Sequence, residues 1–566
     1  MGKSGSGGDV LPEMGRTTPK AVASQTTTRH ASPIPPQRNL RQDIRLNQHR
    51  TSPSTRATLR PVSDPEAIVI GSGPNGMVAA CLLARAGLKV LVLEANPTRA
   101  GGALGSEQST LPGFIHDVGA AFFPFPRMSP AFLELGLVDR EGLQLSNMPI
   151  ESCHPAPDGS VACITRDPDT SAKLFGDPRD GDTFRALTLW HAKVEKDLLG
   201  FLLGPLPTVL PLLRLLPFDI FRVARILLSS CAGLSRRLFH GEPARRVFPG
   251  LAMHVDIGPR DPLGAAVGYM LGMTATTGGY CIPQGGAQAI TDLLVKILER
   301  HGGSVRLGSR VTRVLVGKDG AEGVLLADGT SIRATRAVMA DTSAASLLLD
   351  LVERQHVPRR VVRFMQRFPH GWGTFKVDWA LSAPVPWAVP EARQSAVVHV
   401  GDSLEDLQRF TDQVRGGALP DNPYLVVGQQ SLADPTRAPA GQHTLWAYSR
   451  VPSNPEGGWQ RHAEAFADRI DARIEGLAPG FRATVLARKI VAPPDLEAMD
   501  ANLVGGDLGG GANAWNRQLV FRPLFPYFRH RMPVRRLYLC SSYTHPGSGV
   551  HGMCGYNAAR IALRDL

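Results

Sequence analysis

Apolar residues come in short blocks divided by glycine-rich turns, and the first clear block, Ala67-Ile68-Val69-Ile70, reads as a buried strand. Gly71-Ser72-Gly73-Pro74-Asn75-Gly76 follows at once. From Met77 to Ala86 the apolar residues Ala79, Ala80, Leu82, Leu83 and Ala86 recur at helical spacing, and Gly87 is placed to cap that helix. Lys89-Val90-Leu91-Val92-Leu93-Glu94 reads as a second strand. Strand, glycine turn, helix and strand in so short a span predict a βαβ unit with parallel strands.

The pattern changes over 191–240. Helical spacing gives way to a leucine-rich run from Leu198 to Leu228, broken by prolines at 205, 207, 211 and 217 and by Arg214, Asp219, Arg222 and Arg225. A membrane-spanning helix needs about 20 consecutive apolar residues, which this run lacks. A buried helical lid remains open, as does an apolar surface that dips into a bilayer or gates an oily channel. Beyond Gly285 the α/β alternation returns, with a helix near 287–301, strands near 304–307 and 311–316, a hairpin at Ala327-Asp328-Gly329-Thr330 and a strand at 336–340. Strand-like pieces at 372–379, 395–399, 424–427 and 443–448, with a helix near 461–475, predict the sheet of a substrate domain. A strand at 536–540 and a helix from about 552 to 563 end the pattern.

A length of 566 residues exceeds what one core sustains, so more than one domain is expected. The formal net charge of +12 suggests nucleic acid until its distribution is read. Residues 1–60 carry ten Lys or Arg against Asp9, Glu13 and Asp43, a surplus of +7 in a tail rich in Ser, Thr, Pro and Gln. Such a tail is read as disordered, with a solubilising or vestigial role, contact with anionic membrane or nucleic acid and a cleaved targeting segment as the alternatives. No nucleic-acid partner is expected for the rest. Seven cysteines with no CxxC pair argue against a redox disulfide of the thioredoxin kind and against a cysteine zinc site, so no metal is expected. An odd cysteine count and no apolar leader point to the cytoplasm, with peripheral membrane contact as the open alternative.

Gly71, Gly73 and Gly76 form GxGxxG between a strand and a helix. The first glycine permits the turn, the second lets a pyrophosphate approach bare backbone, and the third lets helix and strand pack closely. Glu94 ends the second strand, where a carboxylate accepts both ribose hydroxyls, which favours the ADP-ribose of FAD or NAD over NADP. Arg99 is available to a phosphate, and Gly101-Gly102 suits the continued approach of a long dinucleotide. At the other end, Thr544-His545-Pro546-Gly547-Ser548-Gly549-Val550-His551-Gly552 feeds a helix, and its backbone N–H groups suit the electron-rich edge of a reduced flavin. His545 and His551 are the candidate acid–base groups, with hydrogen bonding or packing as their alternative roles. For His116 and Asp117 a structural role is expected.

The GxGxxG, Glu94, Arg99 and Gly101-Gly102, together with the run from Tyr538 to Gly555, resemble the two terminal FAD motifs of the phytoene desaturase family. Asn502 to Asp507 and Pro283 to Gly286 place the chain nearer to one branch of it. The resemblance covers about 65–566. It implies an α/β fold with a Rossmann-type FAD-binding domain of the glutathione reductase class and an inserted α+β substrate domain. The corresponding boundaries are a tail at 1–64, FAD-binding segments at 65–190, 271–350 and 501–566, a helical apolar region at 191–270 and a substrate domain at 351–500. It implies that Gly71, Gly73, Gly76, Glu94, Arg99 and Gly102 hold FAD, that Val311 meets the adenine through its backbone, and that Gly549, Val550, His551 and Gly552 face the flavin. Carotenoid desaturases of the family are peripheral membrane proteins acting on long polyenes; His551 stands where many of them carry proline.

The expected function is an FAD-dependent dehydrogenase, desaturase or oxidase removing hydride from an apolar small molecule. With no second GxGxxG and following acid, electrons are expected to leave to oxygen, a quinone or a protein. The alternatives are an FAD-dependent isomerase, an amine oxidase, and an interaction protein stabilised by flavin. A homo-oligomer is compatible with all of them.

Overall fold

The computed structural model describes residues 64–566, so the reading of the basic tail lies outside the described residues. Five parallel strands form the first sheet, in the order Leu537–Leu539, Ala337–Ala340, Ala67–Ile70, Val90–Leu93, Ser304–Arg306. Ala67 stands opposite both Val90 and Ala337, and Val338 opposite Leu537. Every residue of Ala67–Ile70 is buried, as required of a parallel strand covered on both faces. Ala67 and Val69 enter a core with the helices Pro74–Arg85, Gln288–Arg300 and Met553–Asp565. Ile68 and Ile70 point the other way, into a core shared with the antiparallel strands Val311–Gly317 and Gly320–Leu326.

The second sheet has seven strands in the order Val485–Val491, Gly373–Leu381, His443–Val451, Leu425–Gly428, Ser395–Val400, Ile150–Pro155, Val161–Ile164. Phe375, Val377 and Trp379 face Phe466, Ile470 and Ile474 of the helix Trp459–Leu477. On the opposite face Val426 and Trp446 meet Phe248, Leu251 and Met273, from the helices Val247–Ala252 and Ala265–Thr277.

The hairpin over 150–164 corrects the boundary of the first FAD-binding segment at residue 190. Ile150–Pro155 pairs in parallel with Ser395–Val400, Ser152 opposite Val397, so it belongs to the second sheet. All six of its residues are buried, Glu151, Ser152 and His154 among them. Polar residues inside a doubly covered strand hid it from an apolar-pattern reading.

Between the sheets in sequence lies a run of helices. Pro178–Leu203 begins at the Asp177 cap, whose side chain accepts the Arg179 N–H, and stops at Gly204. Prolines then divide the shorter helices Leu210–Arg214 and Asp219–Leu227 from it. Among the described residues no helix is long and apolar enough to cross a membrane.

Candidate functional site

The first strand ends at Ile70, and the chain turns through Gly71 at φ +90°, a conformation open to glycine at little cost. Pro74 fills the first helical position, where no N–H is needed. Gly73 and Gly76 leave a cradle at the helix N-terminus: a Cβ on Gly76 would stand 2.6 Å from the Gly71 carbonyl oxygen. Gly102, at φ +56°, brings the second glycine pair against the first, its Cβ position 3.5 Å from the Gly73 Cα. Gly101 donates its N–H to the Ser72 hydroxyl at 3.0 Å.

Glu94 fastens this loop. Its Oε2 accepts the Ser72 N–H at 2.9 Å and the Ser72 hydroxyl at 2.5 Å, and its Oε1 accepts the Asn96 N–H at 2.8 Å. The Ser309 N–H donates to the Glu94 carbonyl at 2.7 Å, which brings the segment ahead of Val311 alongside; Val311 itself is half-buried and pairs with Leu326. Arg99 donates to the Gly102 carbonyl at 2.8 Å, so it braces the second glycine pair.

The C-terminal loop meets the same cradle. Gly555 packs on the Asn75 carbonyl so closely that a Cβ there would overlap it, and a Cβ on Gly552 would lie 2.8 Å from Val78. Ser129 donates its hydroxyl to the His551 carbonyl at 2.5 Å. His551 is buried and its Nδ1 accepts the Met553 N–H at 3.1 Å, which fixes the tautomer with its proton on Nε2. That Nε2, like the Nε2 of buried His545, has no protein partner. Burial pushes the His551 imidazole down to about 4 and that of His545 down to about 3, so both are neutral at pH 7. A neutral His551 presents an N–H donor and not a base. His545 and His551 thus stand beside the glycine loop, and neither has a carboxylate that would poise it as a base.

Three groups were missed from sequence. Asp341, one residue after the strand Ala337–Ala340, places Oδ2 2.8 Å from the Gly76 N–H. Arg522 is buried behind the C-terminal loop and donates to the carbonyls of Gly509, Gly510 and Ser542 at 2.5, 2.9 and 2.9 Å. On the seven-stranded sheet and the helix turn packed on it, Tyr448, His254, His399, Ser152 and His154 form one chain of hydrogen bonds, of 3.0, 2.7, 3.0 and 2.9 Å. Each joins residues far apart along the chain or from a strand whose pattern was unclear, so spacing gave no signal. His116 and Asp117 face residues of the seven-stranded sheet and the turn beside it, His116 3.7 Å from Asp378 and Asp117 3.0 Å from Arg437.

Residues 76–561 match the profile of the family described as flavin containing amine oxidoreductase. The chain belongs to this family. A mouse relative, pyridine nucleotide-disulfide oxidoreductase domain-containing protein 2, is 28% identical over 553 residues, 88% of this chain and 94% of its own. The neurosporene-forming phytoene desaturase of Rhodobacter capsulatus is 28% identical over 518 residues, 86% of this chain and 92% of its own. Cyclohexylamine oxidase from Brevibacterium oxydans shares the fold at TM-score 0.56 and 19% identity, over 89% of this chain and 99% of its own.

The chain is therefore an FAD-dependent oxidoreductase. The residues present fit that cofactor, since Gly71, Gly73 and Gly76 keep the turn at the helix N-terminus free of side chains and the His551 Nε2–H is an orphaned buried donor. Glu94→Gln is expected to weaken FAD binding by about 1.5–3 kcal/mol, the value of a charge-assisted hydrogen bond, or roughly tenfold to a hundredfold in Kd. Fluorescence titration of the apoprotein with FAD measures this directly.

Proposed function

We propose that this enzyme oxidises an apolar organic molecule by removing hydride from carbon, and that an apolar surface over 209–228 leads to its flavin. One observation carries the reading. Phe218 and Phe221 are 85% and 77% exposed, with Leu213, Leu216 and Leu228 exposed around them, while the helix just before this surface reaches the helix that follows the flavin motif: the Leu203 carbonyl accepts from Asn557 at 3.1 Å. A path for an oily substrate needs this kind of apolar continuity. Arg214, Arg222 and Arg225, all exposed, supply a basic margin suited to anionic headgroups, a contact that salt weakens.

In the same reading, Gly71, Gly73, Gly76, Gly101 and Gly102 cradle the FAD diphosphate, Glu94 takes the ribose, and Arg99 holds the second glycine pair in place. Val311 meets the adenine, and Gly549 to Gly552 face the flavin. The three-stranded antiparallel unit that covers the parallel sheet supports assignment of the nucleotide domain to the glutathione reductase class. Bound FAD would supply the hydride acceptor, held as above, while the protein would orient the carbon, exclude water and donate the His551 N–H.

Anaerobic mixing with apolar candidate substrates is expected to bleach the flavin absorbance, and turnover without net bleaching would refute oxidation in favour of isomerisation. Amine oxidation is the second reading, favoured by the family match, and primary amines in the same assay decide it. Liposome flotation of the full chain is expected to show lipid binding that falls when Leu213, Leu216, Phe218 and Phe221 become serine. Leu215 is left unchanged because it is buried. Equal flotation of parent and variant would dismiss the membrane contact.

A further inference from the structure

The glycine cradle is ringed by acids. Asp341 is buried and its Oδ2 accepts the Gly76 N–H at 2.8 Å, an amide in the first turn of the helix Pro74–Arg85. The same oxygen lies 2.5 Å from a Cβ position on Gly73 and 2.8 Å from one on Gly76, so it stands directly against the two glycines proposed to hold the diphosphate. Asp500 follows the helix Pro493–Met499 and sets its own Oδ2 3.3 Å from the Cβ position of Gly102, across the cradle. Glu94 supplies a third carboxylate through its bonds to Ser72.

The charged groups acting on Asp341 are the carboxylates of Asp500 and Glu94. From the strand Leu537–Leu539 and the helix Met553–Asp565 it is faced by the thiols of Cys540 and Cys554, both neutral because burial pushes them up. The cation of this region, Arg99, acts on Asp500. Three acids and one cation thus surround a place where a diphosphate adds two further negative charges.

We propose that FAD enters this cradle together with one proton, carried by the Asp341 carboxyl. The inference rests on FAD being the cofactor. A protonated Asp341 keeps one oxygen as acceptor for the Gly76 N–H and gains an O–H to donate to a phosphate oxygen, whereas the carboxylate offers only repulsion. The proton comes from solvent and bonds to the carboxylate; no other bond changes.

Burial already pushes the Asp341 carboxyl up to about 7, with Asp500 and Glu94 adding to the effect. A bound diphosphate raises it further, since like charge in a water-poor site disfavours the ionised form. The sign follows. Below about pH 7 the acid is protonated before FAD arrives and affinity is at its full value. As pH rises past that point each FAD must bring a proton, and affinity falls by up to about tenfold per pH unit until the acid ionises in the complex as well.

Apoprotein titrated with FAD by flavin fluorescence from pH 6 to 9, with calorimetry at pH 8 in two buffers of different ionisation heat, tests this. The wild type is expected to lose affinity above pH 7 and to take up about one proton per FAD at pH 8. Asp341→Asn retains an acceptor for Gly76 but cannot ionise, so its Kd is expected to stay flat and, at pH 9, to lie below that of the wild type. A flat wild-type Kd with no proton uptake overturns the inference, and so does a wild-type slope in D341N. The wild-type calorimetry stands even if the variant does not fold. Failure to bind FAD at any pH would overturn the cofactor assignment itself, a different result from FAD binding without a proton.

Discussion

Replacing Arg437 with methionine is expected to destabilise the protein by about 3–5 kcal/mol, the cost of leaving a buried charge without its partner. Arg437 is fully buried, with Nη1 3.0 Å from Asp117 and Nε 2.8 Å from Asp434, and it donates to the Pro283 carbonyl at 3.2 Å. The two carboxylates are tied in turn. Asp117 accepts from the Ala287 N–H at 2.8 Å and the Ser106 hydroxyl at 2.7 Å, and Asp434 accepts the Gly285 N–H at 2.8 Å. One guanidinium therefore joins the loop ahead of the helix Gln288–Arg300 to the turn at Asp434 beside the seven-stranded sheet. Methionine fills much of the volume but leaves two acids facing each other out of water. Adding Asp117→Asn to R437M removes one orphaned charge and is expected to restore part of the loss, a non-additivity that a double-mutant cycle by denaturant unfolding reads. A loss below about 1 kcal/mol would mean that the pair behaves as a surface ion pair.

Gly73→Val is expected to empty the cofactor site while leaving most of the fold in place. The added Cβ would come within 2.5 Å of Asp341 Oδ2, and its methyls are expected to block the approach of the diphosphate to the Gly73 backbone. Overpacking of this kind costs about 1–3 kcal/mol, and loss of the close backbone approach adds to it, so Kd for FAD rises by roughly a hundredfold or more. Purified G73V is expected to show little flavin absorbance with a near-native far-ultraviolet circular dichroism spectrum. Full flavin content would place the diphosphate elsewhere.

The glycine turn, its two strands and the helix between them were legible because each follows from a local rule: a continuous apolar run, a turn that only glycine enters freely, and helical spacing. Glu94 was legible for the same reason, since it ends a strand whose start was clear. The hairpin over 150–164 was not. Glu151, Ser152 and His154 occupy a strand covered on both faces, where partners supplied by the fold make polar side chains tolerable: the Tyr280 N–H reaches Glu151 at 2.6 Å, and Ser152 bridges His154 and His399. Asp341 shows the same limit at the site. Its bond to Gly76 crosses 265 residues of chain, and an aspartate after a strand carries no mark of where that strand will lie. The motif histidines lie beside the glycine loop, and burial, which the motif does not encode, pushes both imidazoles down.

The cradle is split along the chain in a way that bears on how the protein is made. Its glycine turn lies at 71–76, whereas the strand Leu537–Leu539 and the helix Met553–Asp565 that complete the parallel sheet and press on Asn75 come from the far end. At roughly 5–20 residues per second, a ribosome that has finished the turn needs about half a minute to a minute and a half to reach them. Throughout that interval the strand Ala337–Ala340 lacks its outer neighbour and Asn75 lacks the helix that packs on it. Cofactor capture is thus expected late in synthesis, and a chain that ends before residue 537 is expected to lack both the strand and the helix that complete the cradle.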